Sequence, residues 1–112
     1  MMMVRLTKRE RMAKPQKPET ALKRSCSQLL RTFGGFSIPI PGGAYGMPGA
    51  PDRIVFFQGQ AFATEFKAPG KNLGPKQVEI KERIEATGCP YLLIRSVRDF
   101  VQALGLPVRG LF

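Results

Sequence analysis

The chain has 112 residues, enough for one domain around one core and too few for two. Its 43% hydrophobic and 23% charged content is ordinary for a globular protein, allows a core without disulfides, and contains no apolar run near the ~20 residues that a bilayer requires. A formal net charge of +10 favours a polyanionic partner, nucleic acid before anionic membrane, and the absence of histidine excludes Ser-His-Asp and Cys-His catalysis.

Through Arg31 there are nine Lys and Arg against two acids, and after it nine against six, so the front carries most of the excess charge. Residues 1–17, with Lys8, Arg9, Arg11, Lys14 and Lys17, have the composition of a flexible basic arm, suited to phosphates or simply to solvation. No apolar stretch follows these charges, so the beginning does not read as a secretory signal and the expected location is the cytoplasm. The domain proper is expected over residues 18–112.

From Pro18 to Phe33, Leu22, Cys26, Leu29, Leu30 and Phe33 recur at helical spacing, with Lys23, Arg24 and Arg31 largely off that stripe and Gly34-Gly35 as the stop. Glu19 shares the apolar face, where a carboxylate needs a partner or a cation; a favourable charge in the first helical turn is the alternative. Phe36 to Ile40 is predicted to be a short strand, and Pro41–Pro51, with four glycines and three prolines, a long loop that hints at function or mobility. Strands are expected over Arg53–Gln58 and Ala61–Lys67 around a Gly-containing turn. Gly74-Pro75 opens a helix that runs to about Thr87, Tyr91–Arg95 reads as a buried strand, and Ser96 with Asp99 forms an acidic variant of the capping box for a last helix ended by Gly105. Cys26 and Cys89, lacking CxxC neighbours, are expected as small buried hydrophobes. The order αβββαβα predicts an α/β fold, a central mixed sheet of about four strands flanked by helices.

Alternation puts Glu65 and Lys67 on one face of their strand and Phe62, Thr64 and Phe66 on the other. With a two-residue turn, either Gln58-Gly59 or Gly59-Gln60, Asp52 faces Glu65 or Lys67, and all three charges share a face. Converging carboxylates repel unless a proton or cation separates them, and hard oxygen donors without histidine select Mg2+ or Mn2+ over zinc. Such an ion polarises a phosphoryl oxygen, and Lys67 beside it can orient water or stabilise developing charge.

The run Gly49-Ala50-Pro51-Asp52, followed by Glu65-Phe66-Lys67 and then Gln77, resembles the VRR-NUC branch of the PD-(D/E)XK nucleases over roughly Pro18 to Phe112. The resemblance implies a restriction-endonuclease-like core and a metal held by Asp52, Glu65 and the main-chain carbonyl of Phe66. It further implies that Lys67 assists catalysis, that Gln77 points inward from its helix, and that Glu19 joins the site. Stand-alone members, common in bacteriophages, act as homodimers on branched DNA such as four-way junctions, which carries over as an expectation of a DNA endonuclease. One departure is visible: Gly74 stands where the family often has Ser, which predicts weaker capping by tenths of a kcal/mol. Lys71 and Lys76, near that helix opening, are candidate phosphate contacts or plain surface lysines. Two rival readings are a non-catalytic nucleic-acid-binding module and a ribosome-associated basic protein.

Overall fold

In the computed structural model, the described residues are 17–42 and 46–109. Lys8, Arg9, Arg11 and Lys14 of the expected arm lie outside them.

Helix α1 (Pro18–Thr32) starts with proline in its first turn, where a missing N–H costs nothing, and with Glu19 against the positive end of the helix. Its buried residues are Leu22, Cys26 and Leu30, the predicted stripe. Strands β1 (Phe36–Pro39), β2 (Arg53–Phe57) and β3 (Gln60–Phe66) follow, then α2 (Pro75–Ala86), β4 (Tyr91–Ile94) and α3 (Val97–Leu104). The spatial order of the sheet is β1-β2-β3-β4. The first two pairings are antiparallel and β3–β4 is parallel, because α2 serves as the crossover between them. The sheet is therefore mixed and four-stranded, as the element order predicted.

One face of this sheet is dry. Val55, Phe57, Phe62, Phe66 and Ile94 pack with Leu22, Cys26 and Leu30 of α1 and with Phe100, Val101 and Leu104 of α3. Burying each large side chain contributes roughly 1.5–3 kcal/mol, and the Phe66 and Phe100 rings meet at 6.5 Å between centroids. Thr64 is fully buried on this face, its hydroxyl donating to the Phe62 carbonyl at 3.1 Å. Helix α2 crosses the opposite face, burying Ile80 and half-burying Gln77 and Ile84. No helix among the described residues is long and apolar enough to cross a membrane.

Two local expectations change. Ser96 caps α3 by accepting from Asp99 N at 3.0 Å, but the Asp99 carboxylate reaches back to Arg95 N, also at 3.0 Å, one residue beyond the capping-box donor. Cys26 is fully buried, and burial, with Asp99 nearby, pushes its thiol up to about 12. Cys89 is only half buried, because it follows the end of α2 at the rim of the sheet, where its Sγ lies 3.6 Å from the Ala61 carbonyl oxygen.

Candidate functional site

The site begins with the β2–β3 turn. Phe57 pairs with Gln60, so the turn is Gln58-Gly59, both with positive φ (49° and 78°), the conformation whose twist suits a two-residue hairpin. That register sets Arg53 against Thr64, and continuing it by one residue sets Asp52 against Glu65. Asp52 is fixed from both sides: its Oδ2 accepts from Phe66 N at 2.9 Å, and its main-chain carbonyl accepts from Ile40 N at 2.8 Å. The loop leading to Asp52 rests on the start of α2 at Gly49, whose φ of +82° favours glycine and where a Cβ would collide with the Lys76 carbonyl.

Glu65 is 4% exposed. Its Oε2 accepts from Gln77 Nε2 at 3.1 Å, while Gln77 Oε1 accepts from Gly74 N at 2.8 Å. The two bonds fix which way the Gln77 amide faces. The bond from Gly74 N is also half of a capping box, since glycine has no side chain with which to return it. Sequence position alone suggested weak capping at Gly74; Gln77 supplies the partner from inside the helix.

Burial pushes the Glu65 carboxyl up to about 7, and the charge of Asp52 and a hydrogen bond with its side chain add to the rise. Lys67 and Lys23 pull the other way. Asp52 Oδ1 forms an ion pair with Lys23 Nζ at 3.2 Å. Lys23, one turn after Glu19 on α1, is the site residue that reading the sequence missed; its only signal was a position off the apolar stripe. A second is Tyr91, which pairs with Ala63 and so falls on the Glu65 face. Its buried hydroxyl lacks a hydrogen-bond partner among the described residues, and burial together with Glu65, Asp52 and Glu85 raises its pKa.

Glu19 reaches the same end of the sheet, its Oε1 accepting from Ala68 N at 3.3 Å, next to Lys67. It thus partners the backbone at the end of β3, and among the described residues no three His, Cys, Asp or Glu side chains converge as a metal-binding group. The converging pair is Asp52 and Glu65. The donor set still suits a hard cation: burial and the acidic neighbour make ionisation of the Glu65 carboxyl unfavourable, the conflict that a divalent ion relieves. Lys71 and Lys76 are exposed. Lys76 is paired with Glu79 at 3.2 Å, and the Lys71 carbonyl accepts from Arg95 Nε and Nη2 at 3.2 and 3.0 Å.

No family model matches the chain, and no curated protein matches it. Among solved structures it is similar to one described as "VRR_NUC domain", with a TM-score of 0.70 and 18% identity over 83% of this chain and 100% of that one. At that identity the likeness establishes the fold: a four-stranded mixed sheet flanked by helices in the restriction-endonuclease-like arrangement of a VRR_NUC domain.

Proposed function

We propose that the chain is a metal-dependent nuclease that hydrolyses phosphodiester bonds of DNA, with Asp52, Glu65 and Lys67 at its centre. The observation that carries this reading is the juxtaposition of the buried Glu65 carboxyl with Asp52 at the end of two paired strands, beside two lysines. Asp52, Glu65 and the Phe66 carbonyl would hold Mg2+ or Mn2+, with Glu19 as a candidate further ligand or base. The ion's contribution would be Lewis-acid polarisation of the phosphoryl group.

The chain's own groups supply the rest. Gln77 holds Glu65 through its amide and keeps one carboxylate oxygen oriented. Lys67 positions water for attack at phosphorus and offsets negative charge as the P–O bond to the leaving oxygen breaks. Lys23, paired with Asp52, would be available to a substrate phosphate if a cation were held by the carboxylates.

A homodimer fits an exposed apolar surface on edge strand β1 and its neighbour. Phe36 (59% exposed) and Phe56 (39%) stack at 6.3 Å, with Ile38 (46%) beside them in register. A second copy on this patch would cover it and place two sites on one substrate, suiting branched DNA such as a four-way junction. The place of action in this reading is the cytoplasm, that of the host if a phage encodes the chain.

The test is to incubate the protein and an Asp52→Ala variant with four-way-junction and linear duplex DNA, with and without Mg2+. Cleavage by the unmodified protein alone, only with metal, and lost by more than about a hundredfold in the variant supports the reading. Equal DNA binding with no cleavage under any condition leaves the rival of a non-catalytic binder. Preference for the junction, with a dimer mass in light scattering that Phe36→Glu abolishes, supports the finer proposal.

A further inference from the structure

A cationic surface beside the site is on α1, formed by residues that the sequence placed off the apolar stripe but did not mark as phosphate contacts. Lys23, Ser27 and Arg31 follow one another at four-residue steps, with Arg24 three residues before Ser27, one stripe turned away from the buried Leu22, Cys26 and Leu30. This stripe forms one wall of a groove of ≈ 400 Å³ whose opposite wall is Arg53 of β2. Past Ser27 and Arg31 the groove continues to Ser37 and Phe36 on β1. Arg53 Nη1 donates to Ser37 Oγ at 3.2 Å, which holds the guanidinium over the sheet edge. At the other end, Lys23 and Arg53 also line the cleft that contains Asp52 and Gln77.

We infer that this groove is the track for one DNA strand, carrying its phosphates from the β1 edge to the Asp52–Glu65 pair. Three features support it. The residues lining the groove include four cations and no carboxylate, and Lys23 at its inner end is the one paired with Asp52. The hydroxyls of Ser27 and Ser37 add donors suited to phosphate oxygens without reading bases. From Lys23 to Arg31 the helix rises roughly 12 Å at about 1.5 Å per residue, enough to run beside more than one phosphate of a strand. A nucleic-acid strand is favoured over an acidic peptide because the groove leads into a site with the chemistry of phosphodiester hydrolysis. The inference rests on the nuclease reading for that last step, and on charge and shape for the rest.

The experiment measures binding without cleavage. Labelled linear duplex and junction DNA are titrated with the full chain in EDTA at several KCl concentrations, for Arg31→Gln with Arg53→Gln, for the charge-retaining Arg31→Lys with Arg53→Lys, and for a control pair on other surfaces, Arg83→Gln with Arg109→Gln. Circular dichroism checks that each variant is folded. The groove Gln pair is expected to bind both DNAs about tenfold more weakly and to flatten the slope of log K against log[salt] by roughly 2. The Lys pair should recover most of the loss, and the control pair should lose much less. If the Gln pair weakens binding no more than the control does, the groove is not the track, and the nuclease reading stands untouched. If the unmodified protein binds through the groove but never cleaves with metal, the track stands and the nuclease reading fails.

Discussion

Strand β3 builds two environments from one stretch of backbone. Toward α1 and α3 it presents Phe62, Thr64 and Phe66, all closed off from solvent; toward α2 it presents Ala63 and Glu65, followed by Lys67. The first set stabilises the fold without regard to pH, because its contributions come from apolar area and packing. The second holds a carboxyl away from water beside another acid, an arrangement that lowers stability when both are ionised. The anchored side of the strand offsets the cost of carrying such a group on the other, a division of labour within one seven-residue strand.

The sharpest way to break the comparison is Phe66→Ala, expected to cost about 3–5 kcal/mol by urea denaturation, much of a small domain's stability. A cost below 1 kcal/mol would mean that the dry face does not anchor the strand.

Next is the pH dependence of the metal-free protein. Glu65 is raised from 4.5 unfolded to about 7 folded. The folded state therefore holds the proton more tightly, so the associated stability is complete below about pH 4.5 and is lost as pH rises through 7. The loss is on the order of 3 kcal/mol, since each pKa unit is worth about 1.4. Thermal melts between pH 4.5 and 8 should show this fall, Glu65→Gln should flatten it, and added Mg2+ should restore melting temperature mainly at the alkaline end. A Glu65→Gln protein with the same pH profile as the original would place the ionisation elsewhere.

Gln77→Ala separates the two faces further. It removes the amide that orients Glu65, and cleavage should slow by roughly ten- to a hundredfold, while stability changes by about 1 kcal/mol. Activity assays paired with denaturation curves would show whether the charged face responds alone.

The smallest effect belongs to the turn that both faces share. Gln58 sits at φ 49°, where a side chain is strained, and Gln58→Gly should stabilise by about 0.5 kcal/mol or remain neutral. A marked loss of activity in that variant would show that the side chain does more than close the hairpin.

Much of this was readable from residue order. The two faces of β3 followed from alternation alone, whereas the inward position of Gln77 was an expectation carried by the family resemblance. What the sequence left open was the choice between two turns, because Gly59 flanked by two glutamines satisfies either; the pairing of Phe57 with Gln60 settles it. Lys23 was not legible as a partner of Asp52, since that contact depends on how α1 is rotated and seated over the sheet, a property of the whole core. The same reason hid the groove: Arg53 and Arg31 are distant in sequence, and only the packing of α1 against β2 makes them neighbours. The half-buried Cys89 shows the limit from the other side, a small apolar residue left at a rim because the chain turns there.

The contact at Gly49 has a further consequence. The loop that delivers Asp52 and the helix that delivers Gln77 touch there with no room for even a methyl group between them. Two segments pressed together in this way form a mechanical linkage, so any tilt of the helix is transmitted to the aspartate, and the spacing of acid and amide is gauged by the thinnest residue available. Saturating position 49 and selecting for cutting should therefore return glycine, and Gly49→Ala should lower the melting temperature as well, because the added methyl group meets backbone.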